Sequence, residues 1–259
     1  MTFQDSGNIR YYTFNSLSSQ GITHAVFTRR GGASPEPWAA LNMGSTVGDS
    51  PERVEQNRRM AFQAVGCAYE TMFDVWQVHS VDVVIAEAPR PANQPHRKAD
   101  AILTNRPGIP LFMRFADCVP ILLYDPVRRV IGIVHAGWIG TVHKVLKASI
   151  EAMENHFGSR PPDLIGAIGP SIAPHHYEVG SEVVEQVGQA FKADARALLR
   201  NHNGGVQFDL WAANRLILEQ AGVQQIEIAG ICTVCHLDDW YSHRGEHGKT
   251  GRFGALICL

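Results

Sequence analysis

The sequence predicts an α+β sandwich in which helices cover mixed β-sheets. Three observations predict it. Short apolar, β-branched runs recur along the chain. Segments with helical periodicity separate some of these runs but not others. Tight turns join the rest, so hairpins and crossovers coexist. The chain has 259 residues, 45% hydrophobic and 19% charged, which suits a globular protein with a sizeable core. Neither a repeat nor a linker divides it, and residues 1–259 read as a single domain.

In chain order, strands are expected at Ile22–Phe27, Phe73–Val78, Val81–Ala86, Ile109–Phe115, Val119–Tyr124, Val130–Val134, Leu164–Ile168 and Ile226–Ala229. Asp125-Pro126 reads as a hairpin turn. The first helix begins after Ser50, with Pro51 at its first position, and stops before Gly66. A second begins near Thr141; Val142, Val145, Leu146, Ile150 and Met153 share one face, and Gly158 lies past its end. A third follows Ser181, with Val183, Val184, Val187 and Phe191 on one face. A fourth is capped by Asp209 and ends at Gly222. Ala88–Lys98, rich in proline and polar groups, reads as a surface loop.

With 23 basic and 25 acidic residues, the net charge of -2 gives no reason to expect nucleic acid or an anionic membrane. No apolar run is long enough to cross a bilayer. The N-terminus lacks a cationic start and an apolar stretch, so a cytoplasmic location is expected. The 5 cysteines are an odd, sparse set and read as free thiols.

Three short words carry the chemistry: Gln77-Val78-His79-Ser80, Ala116-Asp117-Cys118-Val119-Pro120 and His135-Ala136-Gly137-Trp138. Each places a histidine or cysteine at the end of an apolar run. Two imidazoles and a thiolate make a three-ligand set for a transition metal, zinc first and copper second, with a fourth position open for water or substrate. The gaps between them are too long for a finger motif, and a histidine at a strand end also serves as a hydrogen-bonded structural residue. Context favours the metal reading. Cys118 sits at a break between two strands, and His135 leads through Ala136–Gly140 into a helix. That glycine-containing turn, with Gly137 and Gly140, has the character of an anion cradle. Asp117 is a proton carrier or an orienting group. Without a metal, Cys118 paired with His135 or His79 has the composition of a hydrolase dyad.

Other motifs are weaker. Cys232-Thr233-Val234-Cys235 lacks the second cysteine pair of a zinc ribbon and reads as two unlinked thiols. His175-His176, beside Pro174, read as exposed loop histidines. His243 and His247 stand at i, i+4, but Gly245 and Gly248 argue for a solvated loop. Tandem H-x-H pairs, a Walker loop and a G-x-G-x-x-G fingerprint do not occur.

The words together resemble the YfiH/YlmD-like family, also described as peptidoglycan editing factors or laccase-domain polyphenol oxidoreductases. The likeness runs from Phe27-Thr28-Arg29-Arg30-Gly31-Gly32 and Leu41-Asn42-Met43-Gly44 through Asn57-Arg58 and the three metal words. It continues with Ile168-Gly169-Pro170-Ser171-Ile172 and Tyr177-Glu178-Val179-Gly180. It closes with Tyr241-Ser242-His243-Arg244 and Thr250-Gly251-Arg252. The resemblance implies a four-layer αββα sandwich with zinc at His79, Cys118 and His135. It also implies purine nucleoside chemistry: phosphorolysis of adenosine, inosine or methylthioadenosine, or deamination of adenosine. Arg29, Asn42, Arg58, Gly137, Gly140 and Arg244 are the substrate-side candidates, and the partners are a purine nucleoside and phosphate. One departure stands out. The third word usually reads His-Ala-Gly-Trp-Arg-Gly, and here Ile139 replaces the arginine, removing a forked donor. Rival readings are a peptidoglycan-precursor hydrolase, a copper-dependent polyphenol oxidase and a non-catalytic metal-stabilised binding module.

Overall fold

Two six-stranded sheets pack face to face at the centre of the protein; the structure, a computed structural model, describes residues 2–259. In spatial order the first contains β1 (Thr2–Ser6), β2 (Ile9–Thr13), β3 (Thr23–Phe27), β15 (Phe253–Cys258), β7 (Leu111–Phe115) and β4 (Phe73–Asp74). The second runs β14 (Gln225–Ile228), β10 (Ile165–Ile168), β8 (Val119–Asp125), β9 (Val130–Ala136), β6 (Ala101–Thr104) and β5 (Val83–Ile85). A three-stranded sheet of β11 (Glu178–Val179), β13 (Gly205–Phe208) and β12 (Leu199–His202) lies apart. Both large sheets are mixed: β4–β7, β5–β6 and β10–β14 pair in parallel, and their other neighbours pair antiparallel.

The two-residue period of a strand turns this arrangement into layers. In β9, Ile131 and Ile133 face the other sheet, whereas Val130, Val134 and Ala136 face the helices. In β15, Phe253, Ala255 and Ile257 join the same inter-sheet core, and Leu256 and Cys258 face outward. The outer face of the first sheet is covered by α2 (Pro51–Ala64), which buries Ala61 and Phe62 there. The outer face of the second carries α4 (Val145–Phe157), α5 (Ser181–Phe191) and α7 (Leu210–Gln220), with the short α3 (Trp138–Val142) and α6 (Ala195–Leu198) at their ends. The short α1 (Asn15–Ser18) packs beside β3 and β10. The result is the expected αββα sandwich.

Local sequence explains the boundaries. The Ser50 hydroxyl accepts from the Arg53 N–H and Asp209 accepts from the Ala212 N–H, as N-caps should. Asp125 closes the β8–β9 hairpin by accepting the N–H groups of Val127 and Arg128 at 2.8 and 3.0 Å. Two expectations differ. The helix expected near Thr141 is two helices, because Lys144 adopts a left-handed φ of 66° between α3 and α4. The Phe73–Val78 run pairs as a strand only over Phe73–Asp74. Beyond it, the Gln77 amide replaces a strand partner, donating to the Arg114 carbonyl at 2.8 Å and accepting its N–H at 3.0 Å. The chain is thereby freed to turn at His79.

Asp74, at the end of β4, is fully buried and pins the proline-rich loop. Its carboxylate accepts from Arg90 Nε at 2.6 Å, Arg114 at 2.9 Å and His96 Nε2 at 3.1 Å. Burial alone would raise its pKa; His96, Arg114 and Arg90 overcome this and hold it well below the ordinary carboxylate range. Removing one partner of a buried pair leaves an uncompensated charge, so Asp74→Asn costs about 3–5 kcal/mol in urea unfolding. A folded-state pKa below the unfolded value, near 3.9, stabilises the protein above about pH 4 and loses that contribution as the pH falls further. The stability gap between wild type and Asp74→Asn therefore narrows in unfolding curves taken below pH 4.

Candidate metal centre

His79, Cys118 and His135 converge at one end of the inter-sheet layer. Each offers a ligand atom, and these atoms lie within 4.8 Å of one another. Cys118 Sγ is 4.0 Å from His79 Nε2, and the two imidazole centroids are 5.0 Å apart. Three different pieces of backbone bring them there. His135 is the sixth residue of β9 and continues the inward face of Ile131 and Ile133. Cys118 occupies the break between β7 and β8, and His79 the loop after β4. His79 and its counterpart Asp117, next to Cys118, have left-handed φ values of 61° and 78°. Such conformations are uncommon without glycine and persist only where surrounding contacts impose them.

Asp100 imposes the first. Its Oδ2 accepts the N–H groups of Val78 at 3.1 Å and Ser80 at 2.6 Å, on both sides of His79. Its Oδ1 pairs with His135 Nδ1 at 2.8 Å. One buried carboxylate thus fixes the His79 turn and directs the other ring nitrogen of His135 toward Cys118. Burial pushes Asp100 up, but His135 and the two N–H groups hold it below its usual value. The thiol of Cys118 is opposed by burial yet lowered to about 6 by His135 and His79. Burial works against His135 too, and the Cys118 and Asp100 charges raise it to about 9. Without a metal the cluster therefore favours a thiolate paired with a protonated His135; the thiolate is already in its ligating form, and a bound metal would displace the second His135 proton. Asp100 escaped the sequence reading; its only signal is an acid directly before the apolar run Ala101–Thr104.

Asp117 imposes the second turn and ties two late segments together. Its Oδ1 accepts the hydroxyls of Thr233 at 2.6 Å and Ser242 at 2.7 Å, and its Oδ2 accepts the Arg244 N–H at 2.6 Å. Three donors leave this carboxylate committed to holding loops. Arg244 gives one N–H to the Glu178 carbonyl at 3.0 Å and lies 5.3 Å from the Tyr177 ring centre. Burial raises the Tyr177 phenol, and the nearby Cys118 and Asp117 charges push it the same way. Burial lowers Arg252, which the same two charges oppose. Tyr177 and Arg252 thus belong beside the cluster, although the sequence singled them out only as family words.

The remaining candidates are placed differently. Asn42 is fully buried, bonded to Gly44, Asp49 and Arg252, and builds a loop. Arg58 is buried with two N–H groups on the Met43 carbonyl. Arg29 spends its guanidinium on the Ala39 and Leu237 carbonyls and on Glu246. It lines a cleft of ≈ 490 Å³ that none of His79, Cys118 and His135 reaches. Gly140 is enclosed by Val145 and the His135 carbonyl. Gly137 does stand at the cluster, but α3 beyond it has only 5 residues, so its chief contribution is space. A Cβ there would lie 2.8 Å from Cys118 Sγ and 3.2 Å from the His79 ring.

With this geometry in view, the comparisons are specific. A family profile described as multi-copper polyphenol oxidoreductase laccase matches residues 23–259, and the chain belongs to that family. Within it the chain is of the YfiH/YlmD-like kind. It is 39% identical over 238 residues to a protein of Deinococcus radiodurans named purine nucleoside phosphorylase, covering 92% of this chain and 89% of that one. It is 32% identical over 242 residues to the purine nucleoside phosphorylase YfiH of Escherichia coli, covering 93% and 95%. The crystal structure of YlmD from Geobacillus stearothermophilus superposes with a TM-score of 0.92 at 31% identity, covering 98% of this chain and 97% of that one.

Crowding at Gly137 makes a testable contrast. Gly137→Ala forces a methyl group into the Cys118–His79 contact and lowers stability by about 1–3 kcal/mol in urea unfolding. Gly188→Ala, at an exposed position of α5 where an added Cβ meets nothing within 4 Å, raises it by about 0.4–1 kcal/mol.

Proposed function

We propose that this chain is a zinc-dependent purine nucleoside enzyme, cleaving adenosine, inosine or methylthioadenosine with phosphate and deaminating adenosine as a second activity. The observation that carries the reading is the convergence of two imidazoles and a thiolate, backed by a buried carboxylate, in a chain whose relatives are named purine nucleoside phosphorylase. The donor set fits zinc. Ligand atoms about 2.0–2.3 Å from a tetrahedral centre lie roughly 3.3–3.8 Å apart, and modest side-chain movement from the present spacing reaches this. His79 Nε2, Cys118 Sγ and the His135 nitrogen not bonded to Asp100 would hold the ion. When bound, it supplies a Lewis acid that polarises a substrate oxygen or a water.

The protein's own groups do the rest. Asp100 keeps the His135 proton on Nδ1 and preserves the other nitrogen as a donor. Asp117 orders Ser242 and Arg244, and through them the wall beside Tyr177. Arg244 is exposed, and with Arg252 it brings positive charge to the Cys118–Asp117 side, where an anionic phosphate is attracted. Ile139 stands where the family resemblance implies an arginine, so Arg244 and Arg252 take over phosphate binding in this reading. Residues 1–259 act as one catalytic domain, because the proposed site draws on segments from His79 to Arg252. The family description also names copper and phenols. A His2Cys set suits copper as well, but the chain has no H-x-H pair from which to build a multicopper cluster.

The test is product identification with metal-replete protein and a panel of nucleosides, with and without phosphate. Ribose 1-phosphate and free base mark phosphorolysis; inosine from adenosine marks deamination. His79→Ala, with an unchanged circular dichroism spectrum, loses at least about 100-fold in kcat/KM, a transition-state loss near 2.7 kcal/mol. Wild-type rates in that variant would defeat the metal mechanism. Asp100→Asn weakens zinc binding about 10–100-fold in competition with a chromogenic chelator.

A further inference from the structure

The folded chain joins two pairs that look unrelated in the sequence. The turn Pro174–His176 packs against the segment that begins at Cys232, which forms an isolated bridge to Ser171. His175 Nε2 lies 3.1 Å from Cys235 Sγ, and His176 Nδ1 lies 3.6 Å from both Cys232 Sγ and Cys235 Sγ. All four ligand atoms fall within 4.8 Å of one another. We propose that His175, His176, Cys232 and Cys235 form a second metal site, closed and structural, that takes a zinc ion.

Chemistry and spacing both support the assignment. Four donors of the Cys2His2 type make a complete tetrahedral shell, the signature of structural zinc, whereas the first cluster offers three donors and leaves a position open. The N···S distances of 3.1 and 3.6 Å fall near the roughly 3.3–3.8 Å edges of such a tetrahedron. Cys232 is buried and also accepts the Ala173 N–H at 3.4 Å, an outer contact that suits a thiolate. His175 and Cys235 are exposed, giving an entry path for the ion. A Cys232–Cys235 disulfide would leave the close approach of two imidazoles without a purpose.

The two clusters share no residue, yet they are mechanically linked. Thr233, inside the Cys232–Cys235 loop, donates to Asp117, which precedes Cys118. The Ile172 N–H donates to the Asp117 carbonyl at 3.0 Å. A zinc ion at the second cluster therefore braces the wall carrying Tyr177 and Arg244. The assignment does not depend on nucleoside chemistry and stands or falls by metal content.

The experiment counts zinc per chain by elemental analysis of full-length protein, after dialysis against a weak chelator. Wild type is expected to hold about two equivalents. The triple variant His79→Ala, Cys118→Ser, His135→Ala keeps about one, and so does Cys232→Ser, Cys235→Ser. Should the double variant fail to fold, the triple variant decides the matter. It takes up cobalt(II) to a one-to-one end point, with the intense visible bands of a tetrahedral site and thiolate-to-metal charge transfer. Stripping its zinc lowers Tm by about 5 °C or more. A triple variant that binds neither zinc nor cobalt overturns the proposal. So does a double variant that still holds two ions, or a thiol titration of unfolded protein that finds two of the 5 cysteines already oxidised.

Discussion

The Asp100 carboxylate is the constraint on which the centre depends. It meets the backbone on both sides of His79 with one oxygen and the His135 ring with the other. The first sheet supplies the chain that leads to His79, and the second supplies His135. One buried group thereby converts the packing of two sheets into the relative position of two imidazoles. Neutralising it would release the turn and the ring together.

Much of the architecture was readable from side-chain period and punctuation. The runs Val119–Tyr124 and Val130–Val134, joined at Asp125-Pro126, are the central hairpin of the second sheet. Pro51 and Asp209 marked helix starts correctly. Two of the missed strands fail for identifiable reasons. Thr2–Ser6 is an outer strand whose TFQDS sequence carries no apolar alternation. Phe253–Cys258 lies between β3 and β7 in the first sheet, but Gly254 leaves the strand an unbroken apolar run of only four residues, and glycine weakens a strand signal. Packing overrides that rule here. A Cβ on Gly254 would stand 2.5 Å from both Met43 Sδ and a Phe112 ring carbon, so a larger residue would collide with the layer beneath α2.

The candidate site was legible in part. Residue type and position at strand ends marked His79, Cys118 and His135. What one chain cannot reveal is which polar groups are consumed by the protein itself. Asn42, Arg58 and Arg29 have the right chemistry for ligand contact, yet backbone carbonyls and neighbouring side chains occupy them. Conversely, Asp100 and the four-residue cluster at His175 are products of tertiary approach. About 60 residues separate His175 from Cys235, and no local spacing rule reaches across that distance.

The rims of the sheets carry a further consequence. The terminal strands of the large sheets are short: two residues in β4, three in β5, four in β14, and five polar-rich residues in β1. Exposed strand margins are templates on which another chain can add itself. Here those margins offer only brief hydrogen-bonding ladders, while the long apolar strands stay interior. The same brevity that makes β4 give way to the His79 loop keeps crowded copies of the protein from zipping together.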